Sequence, residues 1–537
     1  MPVHQAHQMP ILIAASVFFM ACDPPKEDNT RSAPPPPVDA DSDGVPEEED
    51  CNDADPTVYP GADEVCGGSD EDCDGTVDES DAVDAGTWYF DEDSDGYGNE
   101  ARPQNACTQP ADTIETGGDC NDADPLIHPE ATEIPCNGIS ESCDGDGGVR
   151  VPEDTASVQL AVDAAGAGGY VCIGAGSWSG ARITQPVHIV GVGGYEATSI
   201  DGNERNSGLV IDGAPGTIIE GISFDNGQDT FGAGLRIQNS DEVRVQSCRF
   251  SNNEALADGG ALSIENSNDL FITTNLFERN EARGNGGAIR ILDSARTELT
   301  NNTITRNNAE EKGGGLWLLR ASETLLTGAQ LQNNSADQGG ALAAQDGDAL
   351  VVEILSVINN TASSTGGGIS LSGETSARLS ELTVRANTAE TGSGVTVRNG
   401  TLEIGSVAFS DHRVNTFGGA LLLRTGAAVT ISDTAFEQSS ADGSGGAIAV
   451  REDGALTVNG GSFSASFAST GGAIAITDTG SVQVTDATFT DNEAATAGAA
   501  LYAAGGTLTA TGVVFDGNLP DDWSCAAEAD CTIETAD

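Results

Sequence analysis

The chain has 537 residues and a formal net charge of -63, with 85 acidic side chains against 22 Lys and Arg. A surface so negative repels phosphate backbones, which argues against nucleic acid as a partner and favours divalent cations. With 68 glycines and only 5% aromatic residues, the composition suits tight turns repeated many times better than an ordinary globule.

Residues 9–21 are an apolar run that ends at Cys22. The run is shorter than the about 20 residues a membrane span needs, and it has the length of a signal-peptide core. It resembles a bacterial lipoprotein signal, whose lipobox ends in the cysteine that receives the lipid. The resemblance implies a signal peptide over 1–21 and Cys22 as lipid anchor. It also implies an exported protein held to a membrane; the outer membrane or cell surface is expected, while Asp23 after the cysteine resembles the inner-membrane retention signal of enteric lipoproteins and leaves the inner membrane open. Phe19 and Met20 depart from the usual lipobox, and His4 and His7 stand where Lys or Arg is expected; the plain alternative is an ordinary cleaved signal peptide. Residues 22–38 include four successive prolines at 34–37 and read as an extended tether.

Residues 39–149 form the acidic segment. Positions 39–148 hold 34 of the 85 acidic residues and one basic residue, Arg102. Asp-x-Asp-x-Asp-Gly occurs at Asp39/Asp41/Asp43, at Asp70/Asp72/Asp74 and at Asp91/Asp93/Asp95. Alternate carboxylates on a loop can converge on one hard cation such as Ca²⁺, and the glycine permits the sharp turn. Glu47 and Asp50 fall at the ninth and twelfth positions of the first loop, Asp78 at the ninth of the second and Asn99 at the ninth of the third. Arg102 takes the twelfth position of the third, so that loop must close differently. Cys-Asn-Asp-Ala-Asp-Pro occurs twice and adds Asp53 and Asp55, then Asp122 and Asp124. The plain alternative is a solvated acidic linker, but a linker has no reason to repeat such a unit.

Seven of the twelve cysteines lie between 51 and 143, in a stretch too polar to build a core. They read as disulfides of an oxidising compartment, not as zinc ligands, because CxxC pairs are missing. The shortest pairings are Cys66–Cys73, Cys107–Cys120 and Cys136–Cys143, with Cys51 left over. Cys525 and Cys531 would close a loop at the C-terminus, and Cys172 and Cys248 read as buried thiols.

The units from Asp50 to Glu79 and from Asp119 to Gly145 resemble the MopE-type metal-binding repeat of bacterial surface proteins. The resemblance implies metal binding by two acidic, Cys-containing repeats. The second unit departs from the pattern at Glu130-Ala131 and at Glu141-Ser142, which puts its last loop in doubt.

From 150 to 520 the sequence repeats every 25 to 27 residues around Phe224, Phe250, Phe277, Ile304, Leu331, Val357, Val384, Phe409, Phe436, Phe463, Phe489 and Phe515. Asn follows three residues later in eight of the twelve repeats, and Gly-Gly-Ala blocks such as Gly286-Gly287-Ala288 come soon after. A fixed period of this length without helical periodicity means a solenoid of short strands, a right-handed parallel β-helix of about 13 coils. The anchors should stack into a narrow core, and the Asn side chains into a hydrogen-bonded ladder that tolerates left-handed turns. The FxxN and GGA(I/L) repeats resemble the passenger repeats of polymorphic outer-membrane proteins. The stretch from Ser157 to Gly193 resembles the capping helix and first coils of pectin-lyase-like β-helices. Residues 521–537 read as a capping tail.

These features point to a structural or adhesive surface lipoprotein, an all-β rod with a Ca²⁺-type module. Its expected partners are the membrane, through the lipid, and a surface polysaccharide or another cell-surface protein. No catalytic site is expected. The alternatives are a polysaccharide lyase or hydrolase and metal sequestration; oxygen ligands with few His and Met favour hard cations. The one odd turn is Asp411-His412, where His replaces the ladder Asn.

Overall fold

A computed structural model describes residues 36–134, 136–145, 147–202 and 207–536. The expected signal peptide, Cys22 and most of the tether lie outside them. The chain divides into two units between Gly117 and Gly118, so the second acidic repeat falls in the unit that holds the solenoid.

The first unit is mostly turns. Its regular part is an antiparallel sheet in which Gly86–Phe90 pairs with Pro103–Ala106 and Thr113–Ile114. Its buried apolar side chains are few, Val58 and Ala82 among the described residues. So small a core needs staples, and Cys51–Cys73 and Cys66–Cys107 supply them.

In the second unit Cys120 bonds Cys143 and Cys136 bonds Cys172. The capping helix Val158–Ala165 follows. Ser157 is its N-cap and accepts the Leu160 N–H (3.3 Å), while the buried Val158, Ala161 and Val162 face the solenoid core. Beyond it the chain winds through about 15 turns, against the 13 expected from the repeats. The difference lies at the N-terminal side, where Trp178 and Ile200 continue the anchor column below Phe224 without the FxxN signature. At about 4.8 Å per coil the solenoid rises about 70 Å.

One coil illustrates the rest. Glu254–Asp258, Leu262–Glu265, Leu270–Thr273 and Leu276–Glu278 are four short strands, each lying parallel to its equivalents in the coils on either side. The second face is an unbroken sheet of 14 strands. Every sequence-predicted anchor sits in one register column, Phe224 against Phe250 through to Phe489 against Phe515. Consecutive phenylalanines stack nearly face to face, with centroids 4.6–4.9 Å apart from Phe224 to Phe277 and from Phe409 to Phe489.

The Asn ladder forms from Asn253 to Asn387, buried throughout. Asn280 donates its backbone N–H and Nδ2–H to Asn307 Oδ1, both at 2.9 Å, and Nδ2 also reaches the Phe250 carbonyl at 3.0 Å. The left-handed turn, however, is not borne by the ladder Asn. It falls on the residue before it, such as Asn252 (φ 54°), Arg279 (φ 54°) or Arg306 (φ 57°). The ladder residue keeps ordinary geometry because its side chain must point inward. In the Gly-Gly blocks the two glycines do different work. Gly286 is left-handed (φ 66°), whereas a Cβ on Gly287 would lie 2.3 Å from the Gly314 carbonyl oxygen of the next coil.

At the C-terminus Trp523–Cys525 and Asp530–Thr535 add a last pair of strands, and Cys525 bonds Cys531 as expected. The three shortest pairings in the acidic segment are corrected. Each cysteine there bridges to a partner farther along the chain, and between Cys66 and Cys73 the chain curls into a carboxylate loop. Cys51 is therefore not left over, and Cys172 is not a thiol. Cys248 is the one free cysteine among the described residues; burial pushes its thiol up to about 12, which leaves it unreactive.

Candidate metal centre

The first Asp-x-Asp-x-Asp-Gly loop folds around its own carboxylates. Asp39 accepts the Ser42 N–H (2.7 Å) and the Gly44 N–H (3.2 Å), Asp41 accepts the Asp43 N–H (3.3 Å) and Asp43 accepts the Val45 N–H (2.8 Å). Carboxylate oxygens of Asp39, Asp41 and Asp43 come within 4.8 Å of one another, and so do those of Asp41, Asp50 and Asp53. Asp41 is common to both sets. Oδ2 of Asp41, of Asp43 and of Asp50 is buried and has no hydrogen-bond partner. Burial raises the pKa of Asp41 above the usual carboxylate range, and the charges of Asp43, Asp50 and Asp39 add to the rise. Five carboxylates crowded around desolvated oxygens without donors fit a hard cation, which would satisfy them and cancel their repulsion.

The predicted closing residues divide. Asp50 and Asp53 are brought to the site. Glu47 is exposed and only its backbone is engaged, on the Val38 carbonyl (2.9 Å). Asp55 is exposed and accepts from Thr57 (2.8 Å).

The third loop repeats the first bond for bond. Asp91 accepts the Ser94 and Gly96 N–H groups (2.7 and 3.3 Å), Asp93 the Asp95 N–H (3.2 Å) and Asp95 the Tyr97 N–H (2.8 Å). Asp91, Asp93 and Asp95 converge as their counterparts do, and Asp95 Oδ2 is buried without a partner. Asn99 turns to the Ala101 N–H (2.9 Å). Arg102, at the twelfth position of this loop, lays its guanidinium over the Phe90 ring, 4.6 Å from the centroid.

The second loop is built differently. Asp70 and Asp72 converge with Glu64, a residue that sequence reasoning did not assign. Glu64 is 5% exposed; its Oε1 accepts the Glu71 and Asp72 N–H groups (2.7 and 3.1 Å), and its Oε2 has no partner. Burial raises its pKa, with Glu79 and Glu71 adding to the effect. Asp74 points outward to Thr76, whose hydroxyl and N–H lower its pKa. Asp78 accepts the Gly67 and Gly68 N–H groups (2.8 and 3.0 Å), so it holds the loop from outside. Cys51 and Cys73 lie beside Asp50, but their sulfurs are bonded to each other and are not ligands.

In the second repeat, among the described residues, no three carboxylates converge. Ser140 and Ser142 stand where the first repeat has Asp70 and Asp72, and the Ser140 hydroxyl accepts the Gly145 N–H (3.1 Å) as Asp70 accepts the Gly75 N–H (3.2 Å). Glu133 holds the Ser142 N–H (3.2 Å) and hydroxyl (3.0 Å). Asp122 is buried, while Asp124 caps the Leu126 N–H (3.3 Å).

His412 is no surface acid–base group. It is buried, and Nε2 bonds the Val384 carbonyl at 3.0 Å, the role of a ladder Asn. Asp411 beside it pairs outward with Arg385 (2.8 Å).

Comparison with known proteins agrees with both halves of this architecture. The MopE-type metal-binding motif, a copper-binding family by name, matches residues 50–79 and 119–147. The right-handed β-helix region matches 187–304, 258–404 and 367–520, more than half the chain. The chain belongs to the right-handed β-helix family. No curated protein matches this β-helix chain. Among solved structures it is similar to the catalytic domain of a GH87 α-1,3-glucanase in complex with nigerose, at 10% identity and TM-score 0.30, over 80% of this chain and 74% of that one. The mannuronan C-5 epimerase AlgE6 A-module of Azotobacter vinelandii matches at 12% identity and TM-score 0.30, over 71% and 94% of the two chains. The family 28 exopolygalacturonase of Yersinia enterocolitica matches at 8% identity and TM-score 0.25, over 70% and 74%. These likenesses transfer no substrate or mechanism to this β-helix. The expectation that the chain is not an enzyme is corrected: the three solved structures named here are a glucanase, an epimerase and a polygalacturonase.

Proposed function

We propose that the protein is an exported, lipid-anchored surface β-helix whose acidic module takes up hard divalent cations of the Ca²⁺ type and whose long regular face serves as a binding surface. The observation that carries the metal half is the first loop, where Asp41, Asp43 and Asp50 each direct a buried, unpartnered oxygen into a cluster of five carboxylates. Asp39, Asp41, Asp43, Asp50 and Asp53 would hold one ion, Asp91, Asp93 and Asp95 another, and Glu64, Asp70 and Asp72 a third. The ion would neutralise the loops and so contribute folding energy. The regular coils and their disulfide-closed end favour a durable display surface for a polysaccharide or another cell-surface protein.

The test is a thermal melt of the oxidised chain with EDTA and with rising Ca²⁺. Calcium at one hundred times its dissociation constant should add about 2.7 kcal/mol per site to the acidic module. Asp41→Asn with Asp50→Asn should remove the share of the first loop. A melt indifferent to Ca²⁺ would overturn the reading. Displacement of Ca²⁺ by stoichiometric Cu²⁺ would favour metal sequestration instead.

A further inference from the structure

The second face of the solenoid carries a ladder of outward side chains that runs Arg290, Trp317, Ala343, Ser370, Thr396, Leu422 in consecutive coils. Between the bulky Trp317 and Leu422 stand three small residues. The surface therefore sinks over Ser370 and Thr396, and a cleft of about 640 Å³ opens there, within the roughly 300–1,000 Å³ usual for ligand sites. Its floor is deep: Ser370 is 6% exposed and Thr396 3%.

The charge of the cleft opposes that of the chain. Its lining includes Lys312, Arg398 and Arg424 and no Asp or Glu, in a protein of net charge -63. Lys312 is the only lysine outside the N-terminal segment, and its Nζ donates to Gln345 Oε1 (2.8 Å). Arg424 is held by Glu452 (3.0 Å). Among the described residues no carboxylate lies within ion-pair distance of Lys312 or Arg398. Elsewhere on the solenoid guanidinium groups commonly pair across coils, as Arg296 does with Asp269 (2.6 Å) and Arg320 with Asp293 (2.6 Å). The rest of the lining is Gly373 and hydroxyl and amide groups on four successive coils, and with Lys312 the cleft spans five, about 20 Å.

We infer that this cleft binds an acidic glycan strand, its carboxylates on Lys312 and Arg398 and its hydroxyls on the Ser, Thr and Gln side chains of successive coils. Two uncompensated cations call for an anion. An elongated floor of small polar side chains, without apolar pockets, suits a hydroxylated polymer better than a peptide. The inference rests on the reading of the solenoid as a binding surface and places that surface on one face.

Calorimetric titration of the full chain, Ca²⁺ present, with an oligogalacturonate tests it. Saturable binding should weaken about tenfold or more in Lys312→Gln/Arg398→Gln, since charge-assisted hydrogen bonds are lost, and should fall with rising salt. Ser370→Trp should abolish it by filling the floor, and a neutral malto-oligosaccharide of equal length should bind at least about tenfold more weakly. Equal affinity in wild type and the Lys312/Arg398 variant, preference for an oligoglutamate peptide, or no binding by a chain that melts normally would each overturn the inference. A Ca²⁺-dependent melt that persists in that last case would leave the metal reading standing.

Discussion

Replacing His412 by Asn should make the solenoid more resistant to acid. The imidazole is enclosed beneath Val384, and burial pulls its pKa from 6.5 down to about 4. In the unfolded chain it takes up a proton below about pH 6.5; in the folded chain it does not until about pH 4. Between these limits the unfolded state holds more protons, so stability falls as pH falls and is complete only above about 6.5. At about 1.4 kcal/mol per pH unit, the gap between 6.5 and about 4 corresponds to about 3 kcal/mol in all. Asn at this position would also restore an acceptor for the backbone and side-chain N–H groups of Asn387, as Asn307 does for Asn280. Two buried bonds at about 1 kcal/mol each give a gain of about 2 kcal/mol at neutral pH. Guanidinium unfolding of wild type and His412→Asn at pH 7 and pH 4.5 isolates the effect, because the many carboxylates titrate alike in both. The variant's advantage should widen by about 2.5 kcal/mol between the two pH values. An advantage that stays constant with pH would refute the buried neutral imidazole.

Asn307→Ala should be severe, at about 3 kcal/mol or more, because it strands the Asn280 donors and removes the side-chain bonds to the Phe277 carbonyl and Asn334 Oδ1 in a dry interior; chemical denaturation reads it, and a loss under about 1 kcal/mol would mean that water enters the ladder. Removing the Cys136–Cys172 bridge in a double serine variant should cost about 3–4 kcal/mol for a loop of 36 residues. Hydrogen exchange should show that loss first in the coils after Tyr170, and unchanged protection there would count against it.

The solenoid was legible because its period writes the same physics many times. Anchor, Asn and Gly-Gly positions each answer one steric demand per coil, and the register follows. The first coils were legible only through the resemblance of Ser157–Gly193 and not through the repeat, for the converse reason: Trp178 and Ile200 fill the anchor column without the Asn that advertises it. In the acidic segment the three Asp-x-Asp-x-Asp-Gly loops were readable, since their ligands are two residues apart. Glu64 was not, although Glu-x-Cys in the first repeat and Glu-x-x-Cys in the second marked it. It reaches its loop from six residues upstream, through a fold that spacing alone does not give. The disulfide partners failed on the same point. Cysteine pairing reports where the chain goes between two residues, not how far apart they stand.

The two internal columns of the solenoid are not equally complete along its length. From Asn253 to Asn387 the amide ladder is continuous while the anchors are mostly aliphatic, Ile304, Leu331, Val357 and Val384. At His412, Ser439 and Ser466 the amides lapse, and there the anchors are Phe409, Phe436 and Phe463 in unbroken stack. From Phe250 to Phe489 each coil is thus secured by at least one of two fasteners, and the coils of Phe250, Phe277 and Phe489 have both. Tolerance to substitution is consequently a property of the coil and not of the residue: Asn→Ser is mild above a stacked ring and costly above a valine. A solenoid fastened in this way can change its sequence coil by coil without changing its pitch.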